Sequence, residues 1–98
     1  MIFVIYCKDK PASLQVRIDT RPTHVDYLNA LNAAGQLKFA GPLLGDDGKP
    51  VGSMIAVEAA DHAAATALAQ NDPYSKAGLF ASVEIHSWTW TFNNPATT

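Results

Sequence analysis

The 98-residue chain contains one cysteine, few charged residues and no long apolar run. The single Cys7 excludes an internal disulfide and suits a reducing compartment. No stretch approaches the ~20 apolar residues that a membrane span requires. The N-terminal segment also lacks the basic lead and the small-residue cleavage site of a signal peptide. We therefore expect a cytoplasmic protein that does not enter a membrane.

Basic charge is scarce as well. Seven Lys and Arg residues stand against nine Asp and Glu, for a net charge of −2, and the basic residues are scattered along the chain. Nucleic acid is therefore not an expected partner. The residues that ligate metals show no metal-site spacing, and the glycines of "GPLLGDDG" precede no helix, as a phosphate loop would require. We expect neither a metal nor another cofactor.

The chain does have short segments with strand and helix patterns. Residues 2–7 ("IFVIYC") are apolar on both faces, which indicates a strand covered on both sides. A short helical turn is expected around residues 13–18, and the main first helix is expected to start at Pro22 and to end before Gly35. Within it, His24 begins an apolar stripe of helical spacing.

The second half predicts a hairpin, a helix and a final strand. "QLKFAGPLL" and "VGSMIAVE" flank the turn-forming "GDDGKP". Residues 61–70 predict an alanine-rich helix that sits close to the sheet. Residues 80–92 predict a strand that carries Trp88, Trp90 and Phe92 on one face, more apolar area than a small protein leaves in water. The tail at about 93–98 is polar.

The predicted order β-α-β-β-α-β indicates an α+β, ferredoxin-like fold in a single domain spanning residues 1–98. In that arrangement a four-stranded antiparallel sheet carries both helices on one face. The two-sided apolar first strand and the aromatic last strand imply that the open face is covered too. We expect a homodimer through this face, which would form a dimeric α+β barrel.

His24 is the first candidate catalytic residue. On the first turn of a helix and at the top of an apolar stripe, the imidazolium form would be disfavoured by the helix dipole and by burial. A neutral imidazole can act as a general base or as a polarising donor. The alternative is a partly buried histidine that bonds a backbone carbonyl.

Asp72 of "NDPY" is the second candidate. Because Pro73 disfavours a helical conformation at the preceding residue, one helix must end by Asn71, and Asp72 can cap a short helix in "PYSKAG". Capping alone explains this aspartate. If His24 and Asp72 meet at one end of the sheet, however, they form a dyad in which the carboxylate orients the ring.

Four other residues are weaker candidates for the site. Arg17 and Arg21, which flank the loop into the first predicted helix, could bind an anionic substrate, although solvated surface charge is the better explanation. Tyr74 could donate to a substrate oxygen or simply pack over a helix end. Ser13 has no base near it in the sequence, so a nucleophilic role has no local support.

The motifs "SLQVR", "RPTH", "AGP" and "DPY", with "SVEIHSW", resemble the YciI-like family (YCII-related domain) over nearly the whole chain. The resemblance implies a dimeric ferredoxin-like barrel, similar in fold to muconolactone isomerases, with a site built around His24 and Asp72. A related dehydrochlorinase, which acts on chlorinated hydroxyhydroquinone, uses such a dyad together with a serine. The resemblance implies that Ser13 is the matching position in this chain.

Two functions are compatible with these residues. The first is a cofactor-independent enzyme in which His24 and Asp72 carry out elimination or isomerisation on a small, hydroxylated aromatic substrate, held by Arg17 or Arg21 and polarised by Tyr74 or Ser13. The second is a non-catalytic protein that binds a small molecule or a partner segment in the same cleft. The distance between His24 and Asp72 discriminates between a dyad and a simple cap.

Overall fold

A computed structural model describes residues 1–95 as one sheet covered by helices, so residues 96–98 of the predicted tail lie outside the described part. The strands are β1 (Ile2–Asp9), β2 (Leu37–Leu44), β3 (Pro50–Glu58) and β4 (Phe80–Trp88). The helices are α1 (Leu14–Ala33), α2 (His62–Gln70) and α3 (Pro73–Lys76). No helix in the described range is long and apolar enough to cross a membrane.

The four strands form an antiparallel sheet in the order β2-β3-β1-β4. The first strand is central, and Ile5 lies opposite both Ile55 on β3 and Ile85 on β4. This is the predicted ferredoxin-like arrangement, and the α+β class with a four-stranded antiparallel sheet is confirmed.

The core lies between the sheet and the helices. Phe3, Ile5 and Cys7 alternate along β1 and are each at most 2% exposed. They pack in one cluster with Ala65 and Ala69 of α2. Because alanine side chains are short, α2 lies close to the sheet, as the sequence predicts. The alternate residues of β1 point to the opposite, open face.

The first helix is longer than predicted. It begins at Leu14, not at Pro22, and the proline lies inside it. Its first turns are held to the sheet by Arg17, which pairs with Asp9 at the end of β1. His24 therefore lies about three turns into the helix. The helix dipole acts within the first turn, so the predicted effect of the dipole on His24 is wrong.

The last strand is shorter than predicted. It ends at Trp88, which pairs with Ile2, the first residue of β1. Residues 89–92 have no strand pairing with β1. Trp90 instead packs edge-on against Phe39 of β2, with ring centroids 5.2 Å apart, and Phe92 is 82% exposed. The predicted row of three aromatics on one strand face is therefore wrong.

The remaining local predictions are confirmed. The hairpin joins β2 to β3, and the alanine-rich helix predicted for residues 61–70 is α2, which Asp61 precedes as a cap. The left-handed residue after α1 is Gly35, with φ of +75°. Asp72 caps α3, which starts at Pro73.

Candidate active site

His24 and Asp72 meet in the folded chain. His24 Nδ1 lies 2.8 Å from Asp72 Oδ1, although 48 residues separate them in sequence. Their side chains are 11% and 3% exposed, respectively. The helix α1 carries the histidine and the junction between α2 and α3 carries the aspartate, so the contact depends on the tertiary fold.

Asp72 combines the dyad contact with the cap. Its Oδ1 also accepts the backbone N–H of Tyr74 at 2.9 Å. The other oxygen, Oδ2, is buried and has no hydrogen-bond partner among the described residues. One oxygen thus caps the start of α3 and also contacts His24.

Tyr74 packs against the imidazole. The two rings are stacked, with centroids 3.9 Å apart and an angle of 17° between their planes, and Tyr74 is 2% exposed. Burial raises the pKa of the Tyr74 hydroxyl, against the opposing charges of Arg17 and Arg21. The phenol therefore stays protonated at neutral pH, and its ring limits how the His24 ring can turn.

The Arg17 guanidinium forms hydrogen bonds to other side chains of the protein. Its Nε and Nη2 donate to the two carboxylate oxygens of Asp9 at 2.7 and 2.8 Å, and Nη2 also donates to Ser53 Oγ at 3.0 Å. Its guanidinium lies 4.7 Å from the centre of the Tyr74 ring. Burial alone would lower the pKa of Arg17, but hydrogen bonding and the charge of Asp9 raise it. Arg17 therefore joins α1, β1 and β3 beside the dyad.

A cleft of about 420 Å³ lies between α1 and the β2–β3 hairpin. His24 lines this cleft, whereas Asp72 lies behind the histidine and does not line it. No hydrogen bond joins the second ring nitrogen, Nε2, to a described residue. The ionisable side chains that line the cleft are Arg17, Arg21, His24, Lys49 and Tyr74.

The structure gathers most of the predicted site residues. Arg17, Arg21, His24 and Tyr74 all line the cleft, with Asp72 behind His24. Both arginines lie within α1, not in a loop before it. Ser13 is separate from this group. It precedes α1, its hydroxyl donates to the Pro11 carbonyl at 3.2 Å, and it does not line the cleft.

Two residues of the cleft were missed in the sequence. Ser53 is a buried strand residue, and Lys49 precedes β3 in the hairpin turn. Neither belongs to a motif, because their position depends on how the hairpin faces α1. Within the described range, no group of three His, Cys, Asp or Glu residues is placed to hold a metal ion.

The model of the YCII-related domain matches residues 1–89. The chain belongs to this family. This YCII-related protein is 35% identical to Protein YciI of Escherichia coli O6:H1, over 94% of this chain and all of that protein. It is 36% identical to Derivative of benzaldehyde biosynthesis cluster protein C of Emericella nidulans, over 66% of this chain and 74% of the relative.

The chain is also similar to solved structures, one of which is an enzyme of 40% sequence identity. The chain is 40% identical to 5-chloro-2-hydroxyhydroquinone dehydrochlorinase from Burkholderia phenoliruptrix, solved in complex with 2,5-dihydroxybenzoquinone. The TM-score is 0.84, with 96% of this chain and 99% of that chain covered. An antibiotic biosynthesis monooxygenase, 12% identical with a TM-score of 0.53 over 91% of this chain and 99% of that chain, shares the fold alone.

Proposed function

We propose that this protein is a cofactor-independent enzyme that carries out acid-base chemistry on a small, hydroxylated aromatic substrate. The reaction is an elimination such as loss of HCl, or an isomerisation. The observation that carries the proposal is the His24–Asp72 contact of 2.8 Å at the wall of a cleft. The 40%-identical dehydrochlorinase supports the reaction class.

The hydrogen bonds around Asp72 favour one tautomer of His24. Oδ1 already accepts the Tyr74 N–H, so the carboxylate acts as an acceptor, and His24 Nδ1 donates its proton to the same oxygen. The proton-free nitrogen is then Nε2, which is the position of a general base. When the ring takes up a second proton, the neighbouring carboxylate stabilises the imidazolium that forms.

Loss of HCl from a chlorinated hydroxyhydroquinone is balanced by proton transfers through this nitrogen. His24 Nε2 removes a hydroxyl proton and returns it to the ring carbon that carries chlorine. Removal of a second hydroxyl proton then forms a quinone carbonyl, and chloride leaves with the electron pair of the C–Cl bond. One proton and one chloride are lost, so no oxidant is needed. The first transfer by itself is an isomerisation.

The other cleft residues have binding roles in this proposal. Arg21 holds an anionic oxygen of the substrate, and the protonated Tyr74 supplies a donor and a stacking surface for His24. Arg17 keeps the cleft walls together through Asp9 and Ser53. Quinones such as 2,5-dihydroxybenzoquinone, bound by the solved relative, are proposed ligands of the same cleft.

We also propose that the protein is a homodimer through the open face of the sheet. Alternate β1 residues and neighbouring side chains leave a mainly apolar trough there, with Met54 37% and Trp88 38% exposed, and Lys8, Glu84 and His86 also line it. The Phe39 and Trp88 rings meet edge-on on this face, 5.6 Å apart. A second copy would cover the aromatic and aliphatic surface symmetrically.

Chloride release from 5-chloro-2-hydroxyhydroquinone under anaerobic conditions tests the reaction. We expect turnover by the wild-type protein, and a loss of kcat on the order of 10²–10⁴ in His24→Ala, as for removal of a general base. His62→Ala, an exposed histidine outside the cleft, is the matched control and should retain full activity. Equal turnover by His24→Ala would contradict the proposal, and ligand binding without any turnover would favour the non-catalytic alternative.

A further inference from the structure

Two positive side chains in the cleft have no ion-pair partner among residues 1–95. No carboxylate is among the side chains that line the cleft. The charge of Arg17 is matched by Asp9, but Arg21 and Lys49 form no ion pair with a described residue. A protein whose net charge is −2 thus places two free cations in one cleft.

The two cations come from opposite walls of the cleft. Arg21 lies on α1, three residues before His24, so both side chains share one helix face about 5 Å apart along the axis. Lys49 comes from the hairpin on the other side. The bond between Arg17 and Ser53, at 3.0 Å, holds the two walls close. His24 and both cations thus line one cleft, so a ligand that fills it contacts a surface formed by all three.

We propose that Arg21 and Lys49 form an anion subsite and that the cleft selects small ligands with two acidic oxygen groups. One group meets His24 and the other lies between the two cations. This inference rests on the proposed function, because it concerns the same cleft and names its substrate class. A hydroxyl conjugated to a quinone carbonyl behaves as a vinylogous carboxylic acid, so a dihydroxyquinone such as 2,5-dihydroxybenzoquinone carries two acidic oxygen groups and meets the requirement.

Ser53 adds a neutral donor to the cleft wall. It is 3% exposed, and its Oγ accepts a hydrogen bond from Arg17 Nη2. No described residue accepts the hydroxyl proton of Ser53, so this proton is free to be donated to a ligand oxygen in the cleft. Arg17 is thus a positioning residue that orients Ser53, while Arg21 and Lys49 make the direct charged contacts.

The affinity of the subsite comes from two cationic side chains that bind the same acidic group of the ligand. A single solvent-exposed ion pair contributes little, because water screens it. Hydrogen bonds to a charged group are stronger, and a bound ligand displaces water from the cleft. Loss of either cation is therefore expected to weaken binding of a doubly acidic ligand by about tenfold.

Calorimetric titration with a matched pair of probes tests the inference. The acidic probe is 2,5-dihydroxybenzoquinone. Its dimethyl ether keeps the ring and carbonyls but cannot ionise. We expect Arg21→Gln and Lys49→Gln each to bind the acidic probe about tenfold more weakly at low salt, and to bind the ether within about twofold of wild type. Lys38→Gln, an exposed lysine that does not line the cleft, is the control and should bind both probes normally.

Three results would contradict the subsite. In the first, the wild-type protein does not bind the acidic probe at all, and in the second, both cleft variants bind it as tightly as wild type does. The third is an equal loss of affinity for the ether, or an equal loss of affinity in Lys38→Gln. Binding is measured without turnover, so the two proposals fail separately. A protein that binds the acidic probe through Arg21 and Lys49 but never releases chloride keeps the subsite and loses the proposed reaction.

Discussion

One oxygen of Asp72 holds both His24 and the first turn of α3. Oδ1 lies 2.8 Å from His24 Nδ1 and 2.9 Å from the backbone nitrogen of Tyr74. The cap fixes the carboxylate on a rigid backbone turn, so the aspartate needs little further ordering to meet the histidine. A local structural role and a proposed chemical role thus depend on the same atom.

We predict that Arg17 and Asp9 are strongly coupled in stability. Both side chains are 6% exposed and joined by two hydrogen bonds. Asp9→Asn leaves a buried guanidinium without its counter-charge, which should lower the free energy of unfolding by on the order of 3 kcal/mol. Urea denaturation of Asp9→Asn, Arg17→Met and the double variant checks this. The double variant should lose clearly less than the sum of the single losses, and strict additivity would contradict the coupling.

We predict that a larger residue in place of Gly52 in β3 destabilises the fold. A Cβ atom at this position would collide with the backbone carbonyl oxygen of Cys7 on the neighbouring strand. Gly52→Ala should lower the free energy of unfolding by about 1–3 kcal/mol, because the sheet backbone must shift. Gly41→Ala, in β2, is the control, since nothing lies within 4 Å of its added Cβ. Equal thermal stability of the two variants would show that β1 and β3 lie farther apart at Gly52 than the structure indicates.

The Cys7 thiol is predicted to be unreactive in the folded protein. Cys7 is 1% exposed, and burial, with the nearby charge of Asp72, raises its pKa to about 12. Labelling by a disulfide reagent at mildly alkaline pH should be on the order of 100-fold slower in the native than in the urea-unfolded protein. Rapid native labelling would place the thiol at the surface.

The same shift predicts a dependence of stability on alkaline pH. Between about pH 9 and 12 the folded state keeps a thiol proton that the unfolded state loses. The stabilisation is complete below the unfolded pKa and is lost as the pH rises, so the free energy of unfolding falls across this window. Cys7→Ala should show a shallower fall in urea titrations. Identical slopes would contradict the raised pKa.

The open sheet face gives a prediction about assembly. Sedimentation equilibrium of the wild-type protein should return twice the chain mass of 10.5 kDa. Trp88→Glu places a charge in the proposed interface and should return the single-chain mass. Val16→Glu, an exposed apolar residue of α1 away from that face, is the control and should remain dimeric. A monomeric wild-type protein would remove the proposed interface.

Local signals predicted much of the fold. Gly35 ends α1, Asp72 caps α3, and the hairpin turn lies where the sequence indicates. Each of these depends on a few neighbouring residues. The start of α1 does not. Pro22 is a good first helical residue in isolation, but the pairing of Arg17 with Asp9 stabilises two further helical turns before it.

Predictions failed where distant partners decide the outcome. Alternation along residues 80–92 indicates a long strand, yet β4 ends at Trp88, which pairs with Ile2, the first residue of β1. In the site, His24 and Asp72 could each be singled out from sequence, but not their contact. Ser53 and Lys49 carried no signal, since only the packing of the hairpin against α1 brings them to the cleft.

The most direct test of the proposed dyad is kcat for Asp72→Asn in the chloride-release assay, measured beside its thermal stability. Asparagine caps helices as well as aspartate does, so α3 should form and the free energy of unfolding should stay within about 1 kcal/mol of wild type. We predict that kcat nonetheless falls by on the order of 10²–10⁴, because the amide no longer stabilises the His24 imidazolium. A folded Asp72→Asn protein with wild-type kcat would show that Asp72 is only a cap.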